Sequence, residues 1–337
     1  MRLNYYVEEL PAFNSFTISN FRPSREVFNK RNRLIRYHYT SAAVVKKILG
    51  ENPTLRFTDI RYMNDYSEML CCVKRMIGFI DRFQEKYPFF SEVFQRLLLQ
   101  NHTEQDYLDS KVSQIEFEEN GIYPYHPVRC FAFCMSVKQD SLPMWNYYVH
   151  NGSYEGYSIG FDVYNFMKSF DTEDKHKGDP ISFTFGEVIY TEKEQFREIE
   201  RIADVIEGDR KRIGDTGIAF NMMRLRHYME TYGPFYKHEA FKAEEEYRIL
   251  LSITENRVHE DKKHYFNGNL QKLKIDFCDR KGVFVPYLEV PIDKKAVRSV
   301  MISPTIEKTI AEQSLREFLK MNDYKADISV STIPIRF

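Results

Sequence analysis

Two periods organise the hydrophobic positions of this chain. From Cys130 to Val137, Phe131, Phe133, Met135 and Val137 alternate with Cys130, Ala132, Cys134 and Ser136, the period of two of a strand with one buried face. The period then changes. Asp140 or Ser141 can cap, Pro143 suits a first helical turn, and Met144, Trp145, Tyr148 and Val149 recur at helical spacing until Gly152. Gly156 to Asp162 returns to a period of two, with Tyr157, Ile159 and Phe161 on one face. Gly156, Ser158, Gly160 and Asp162 leave the other face nearly bare, which fits either a flat ligand beside the single Trp or a closely packed helix.

The same two periods divide the rest of the chain. Residues 1–33 are polar, carry Pro11 and Pro23 and show no period, so they read as an extended arm. Strands are expected at Leu34–Ser41, Thr54–Asp59, Ile181–Tyr190, Glu246–Ile253, Val283–Ile292, Val297–Ile302 and Ile328–Ile335. Helices are expected at Ala42–Leu49, after the Asp65/Glu68 capping box, at Ser91–Gln100, Glu194–Arg212, Asp215–Tyr232 and Thr305–Met321. Lys168–Asp179 reads as a charged loop. Strands and helices do not alternate regularly, and helices gather in insertions at about 65–120 and 194–245. That pattern predicts one α+β domain over 34–337, with a mixed, mainly antiparallel central sheet.

Composition narrows the classes. The 337 residues are 43% hydrophobic, enough for a sizeable core, and 48 Lys plus Arg nearly cancel 49 Asp plus Glu. No global field draws such a chain to nucleic acid or an anionic membrane. Five cysteines without CxxC spacing read as reduced core thiols, and no apolar run approaches the ~20 residues of a membrane helix, so a cytoplasmic protein is expected. Neither GxGxxG after a strand nor GxxxxGK[ST] occurs, and no HExxH, no His-x-His pair and no GxSxG is present. The expectation is a site without metal and without a Ser nucleophile.

Three constellations remain. His38 ends the first strand between Tyr37 and Tyr39, sharing a face with Arg36 and Thr40; the competing reading is a half-buried His satisfied by a backbone group. Asn64 adjoins Asp65, whose capping role with Glu68 needs no further function. In Glu244-Glu245-Glu246-Tyr247-Arg248, a solvated face suits Glu245. Glu246 shares a strand face with Arg248, and a guanidinium beside a carboxylate at a sheet edge holds it ionised and oriented.

The segments YHYTS, TLRFTD with MNDYSE, SVKQDSLPMWNYYVHNGSYEGYSIGFD, AEEEYRI and the MISP-helix-ISVSTIPIR ending together resemble a large uncharacterised bacterial family, members of which often sit in phage-defence neighbourhoods. The strand-His-Tyr-Thr-Ser start also resembles the first motif of ADP-ribosyltransferases of the His-Tyr-Glu kind. That second resemblance implies that His38 and Thr40, with Tyr39 beside them, bind the ribose side of NAD, that Tyr148 or Trp145 stacks on nicotinamide, that Gly160 is among the cofactor-binding positions, and that Glu246, fixed by Arg248, is the catalytic carboxylate. Glu244, Asn64 and Asp65 are further candidates. The implied activity is NAD-consuming ADP-ribosyl transfer or NAD glycohydrolysis by a defence effector or toxin. Its acceptor would be protein or nucleic acid, with an antitoxin or regulatory partner, and no membrane. A metal-independent nuclease and a non-catalytic binding module are the alternatives.

Overall fold

In the computed structural model, residues 34–63, 68–100, 128–149, 155–168, 182–213, 217–254, 263–266, 269–272 and 274–335 are described. The expected arm, Asn64, Asp65 and most of the expected 168–179 loop lie outside them.

The strands are β1 (Ile35–Thr40), β2 (Thr54–Asp59), β3 (Val128–Ser136), β4 (Tyr157–Asp162), β5 (Ser182–Glu187), β6 (Glu246–Thr254), β7 (Lys263–Phe266), β8 (Asn269–Lys272), β9 (Ile275–Arg280), β10 (Val283–Pro291), β11 (Val297–Ile302) and β12 (Asp327–Val330). Ten of them form one open sheet in the order β12-β11-β4-β1-β3-β2-β10-β9, with β6 also pairing β3 and β5 on its other side. Its described pairings are antiparallel except β11 with β12. The expected α+β class, with a mainly antiparallel sheet, is the observed one.

The sheet forks at β3. One edge of β3 pairs β6 along its whole length, from Val128 to Ser136. The other edge pairs β1 at Ser136 and β2 at Ala132 and Phe131, so Phe133 to Met135 lie between two departing strands.

Alternation assigns the two faces. Leu55, Phe57, Phe131, Phe133, Ile159, Phe161, Ile249, Leu251 and Leu288 form one buried cluster, covered by α1 (Ala42–Ile48), α5 (Val163–Lys168) and α8 (Lys308–Met321). On the opposite face Ala132 and Leu250 pack beneath α2 (Glu68–Phe83), α3 (Pro88–Gln100), α6 (Glu192–Ile213) and α7 (Ile218–Tyr232). Helices from the two expected insertions therefore share one layer. A third cluster, Tyr39, Met144, Trp145, Val149 and Met301, seats α4 (Leu142–Tyr148) beside them.

Local chemistry sets several boundaries. The Glu307 carboxylate accepts the N–H groups of Thr309 and Ile310, so α8 starts three residues later than Thr305. Pro334 follows closely on β12, which ends at Val330 rather than running to Ile335. The β9–β10 hairpin turns on Lys281 and Gly282, at φ 53° and 82°, a two-residue turn whose twist suits the strands.

Candidate functional site

The expected residues divide around β3. His38 leaves β1 on the apolar face, where its ring lies over Phe133 with centroids 4.7 Å apart. Its Nδ1 is 2.9 Å from the Cys134 carbonyl, in the gap where β3 passes from β1 to β2. A carbonyl only accepts, so Nδ1 carries the hydrogen and Nε2 is the acceptor of the neutral ring. Burial pushes the ring's pKa down, and the Cys134 carbonyl offsets this only in part. The reading of a half-buried His satisfied by backbone thus describes its Nδ1.

Glu246 leaves β6 on the other face, opposite Ser136. It is 3% exposed and does not lie at a sheet edge, because β6 is flanked by β3 and β5. Arg248 Nε donates to its Oε1 at 3.0 Å and Nη2 to its Oε2 at 2.8 Å. Lys237 Nζ donates to Glu246 Oε2 at 3.1 Å and to Glu244 Oε2 at 2.7 Å. Burial alone would raise the Glu246 pKa; Arg248 and Lys237 overcome it and hold the carboxyl at about 2. Two carboxylates and two cations make this cluster neutral as a whole.

The backbone explains how both acids reach Lys237. Glu245 sits in the left-handed region at φ 42° and turns the chain from the 3-10 segment Glu239–Glu244 into β6. Glu245 itself points to solvent, 3.6 Å from Lys138, as expected of a solvated face. Ser136 Oγ donates to the Glu244 carbonyl at 2.8 Å, and the Glu246 N–H donates to the Tyr190 hydroxyl at 2.9 Å.

Cys134 connects the two faces. Its carbonyl holds His38, its thiol hydrogen-bonds the Glu246 carboxylate, and its side chain is partly exposed. Tyr148, also partly exposed, donates its hydroxyl to Glu244 Oε2 at 3.1 Å. Burial, then the charges of Glu246 and Glu244, push that phenol far above its ordinary pKa, so it remains a donor. His38, Cys134, Tyr148, Glu244 and Glu246 thus form one connected seam at the fork.

Other expected residues fall elsewhere. Trp145 is fully buried; its Nε1 donates to Asp140 Oδ1 at 2.8 Å, and its ring meets Tyr39 edge-on at 4.7 Å. The same Asp140 accepts from Ser331 Oγ and the Thr332 N–H, so Trp145 pins the β3–α4 loop to the C-terminal segment and offers no platform to a ligand. Tyr39 is 3% exposed and bonds the Lys138 carbonyl, and Thr40 is 6% exposed, so neither presents its side chain to a ribose. The face around Gly160 is filled as well: a Cβ there would stand 2.3 Å from Ser299 Oγ and 3.1 Å from Tyr37 Cε1. At Gly156 a Cβ would stand 2.2 Å from Val149 Cγ1, so the nearly bare face receives packed neighbours, α4 among them. Cys71, Cys72 and Cys130 are buried free thiols, whereas Cys134 and Cys278 are partly exposed.

Lys237, Cys134 and Tyr190 join the site without having been expected. Lys237 stands among alternating charges with no local period, and only the left-handed turn at Glu245 brings it under both acids. Cys134 stands opposite Arg248 and one register step from Glu246, a pairing of distant strands that no local pattern announces.

Among the described residues no group of three or more His, Cys, Asp or Glu could hold a metal ion, and no helix is long and apolar enough to cross a membrane. Residues 144–249 match the model of a family described as a protein of unknown function (DUF2971). No curated protein and no solved structure matches the chain. The matched span holds Trp145, Tyr148, Lys237 and the Glu244–Arg248 run; His38 and Cys134 lie outside it.

Proposed function

We propose that this chain consumes NAD, as an ADP-ribosyltransferase or an NAD glycohydrolase, at the seam between His38 and the Glu244–Glu246 pair. One observation carries the reading. A strand-borne carboxylate is held ionised in a buried setting, a partly exposed phenol bonds its neighbour Glu244, and a histidine of fixed tautomer stands across the sheet on the Cys134 carbonyl. In such a reaction the bond between nicotinamide nitrogen and ribose C1′ breaks, and its electron pair leaves with the pyridinium, which becomes neutral nicotinamide. The ribosyl group passes through an oxocarbenium-like state, which a fixed negative charge stabilises, before water or an acceptor nucleophile adds and gives up a proton. His38 Nε2 can accept a ribose hydroxyl, and Tyr148 can flank the nicotinamide. In a defence effector or toxin the acceptor is a macromolecule, and a regulatory partner holds the activity silent.

A second reading, a non-catalytic binding module, is favoured by one fact: both Glu246 oxygens already accept from Arg248. The two separate cleanly. Purified protein incubated with NAD releases nicotinamide, detected by chromatography, if the first holds. Neither release nor any saturable binding of NAD by calorimetry would discard it.

A further inference from the structure

We infer that the outer edge of β9 is a self-association surface, at which two copies of this chain join their sheets antiparallel about a two-fold axis at Cys278. β9 ends the sheet order and pairs only β10 among the described residues. Its hairpin is unusually apolar for a surface element: Phe277 is 56% exposed, Val283 52% and Phe284 74%. Phe277 and Phe284 lie on one face, diagonal to each other across the β9–β10 register. An exposed edge flanked by bare aromatic rings is a template for another strand.

The register selects the partner. Arg280 and Val283 flank a two-residue turn and are a hydrogen-bonded pair, so Ile275, Phe277 and Asp279 turn their N–H and C=O groups outward. A second β9 can therefore pair Phe277 with Asp279 in both directions, which sets Cys278 opposite Cys278. The same register puts Asp276 opposite Arg280 twice, by symmetry, and all four of these charged side chains are exposed, with Arg280 Nη1 also donating to the Tyr62 carbonyl of its own chain at 3.3 Å. Slipping by two residues one way opposes Asp279 to itself; slipping the other way opposes Lys274 to Arg280. Opposite charges facing across strands stabilise and like charges destabilise, so this one register is selected and the match is to a copy of the same strand.

Asp276 now caps its own neighbour, with Oδ1 accepting the Phe277 N–H at 2.8 Å and Oδ2 accepting from the Tyr287 hydroxyl at 3.1 Å. On pairing, the Asp279 carbonyl of the second copy takes over the Phe277 N–H, and Asp276 Oδ1 turns to Arg280. The two-fold axis stands perpendicular to the sheet. Phe277 and Phe284 of both copies then share one face and cover one another.

Sedimentation velocity of the full chain, at increasing concentration, tests this. A reversible dimer is expected, and mild oxidation with added copper–phenanthroline links it through Cys278, a link that Cys278→Ser abolishes. Asp276→Arg and Arg280→Asp each weaken the dimer roughly tenfold. Mixing the two variants restores affinity, because each supplies the charge that the other lacks, while circular dichroism stays that of the wild type. A chain that remains monomeric at every concentration reached, or a dimer indifferent to both reversals, overturns the inference.

Discussion

His38 and Glu246 leave the sheet on opposite faces yet meet at one residue, Cys134, whose carbonyl accepts from the imidazole and whose thiol bonds the carboxylate. The relationship depends on the fork. With β1 and β2 each pairing β3 over only a short stretch, the Cys134 carbonyl is left to a side chain, and His38 fills the gap.

Lys237 is the cation that both acids share, so Lys237→Met leaves Glu246 to Arg248 and Glu244 to the neutral Tyr148 hydroxyl. Removing one partner of a buried ion pair costs about 3–5 kcal/mol, and urea unfolding at neutral pH should show a loss of that order. Acid sensitivity follows with a defined sign. The Glu246 carboxyl is held near 2 in the folded chain, below its usual value, so the stability that it contributes is fully present above the ordinary carboxylate range. That stability is lost as pH falls toward about 2, and in the Met variant the loss should begin at higher pH.

Glu230 on α7 behaves oppositely. Burial raises its carboxyl to about 8, so between the ordinary carboxylate value and that pH the folded chain keeps a proton that the unfolded chain releases. Its contribution is complete in mild acid and lost as pH rises through 8. Unfolding free energies measured from pH 5 to 9 should fall less steeply for Glu230→Gln than for the wild type.

The single Trp reports on the pinned loop. Trp145 is fully buried with its N–H bonded to Asp140, so its emission should be blue-shifted and poorly quenched by acrylamide. Asp140→Ala removes the acceptor and should destabilise the chain by about 1–3 kcal/mol, raising acrylamide access.

Gly156 has no room for a methyl group. Its Cβ would meet the Thr40 carbonyl at 2.5 Å as well as Val149, and backbone cannot step aside as a side chain can. Gly156→Ala should lower stability by about 1–3 kcal/mol, whereas Gly208→Ala on α6, where nothing lies within 4 Å, should raise it by about 0.5–1 kcal/mol. Thermal denaturation of the two variants checks both signs.

The strands that face a core were legible. The alternation of Phe131, Phe133 and Met135, and of Tyr247, Ile249 and Leu251, assigns the faces as the sheet shows them, since burial of one face fixes a period of two. β9 was not: Phe277 is exposed and the strand carries no alternation of burial to read, whereas its partner β10 was expected from Val283. The roles of Trp145 and Gly160 were misplaced for a related reason. A small residue on a strand signals close approach without saying what approaches, and here side chains and α4 fill the space that a ligand would need. The ion cluster was half visible, because Glu246 and Arg248 are neighbours on one strand, while Lys237 arrives through a turn that no local period announces.

The most direct measurement is the initial rate of nicotinamide release from NAD by the wild type, Glu246→Gln and Tyr148→Phe, each first shown to be folded by circular dichroism. The account predicts turnover by the wild type, a loss of about a hundredfold or more when the carboxylate charge is removed, and a smaller loss when the flanking phenol becomes Phe. A wild type that turns over NAD while Glu246→Gln keeps its full rate would contradict it.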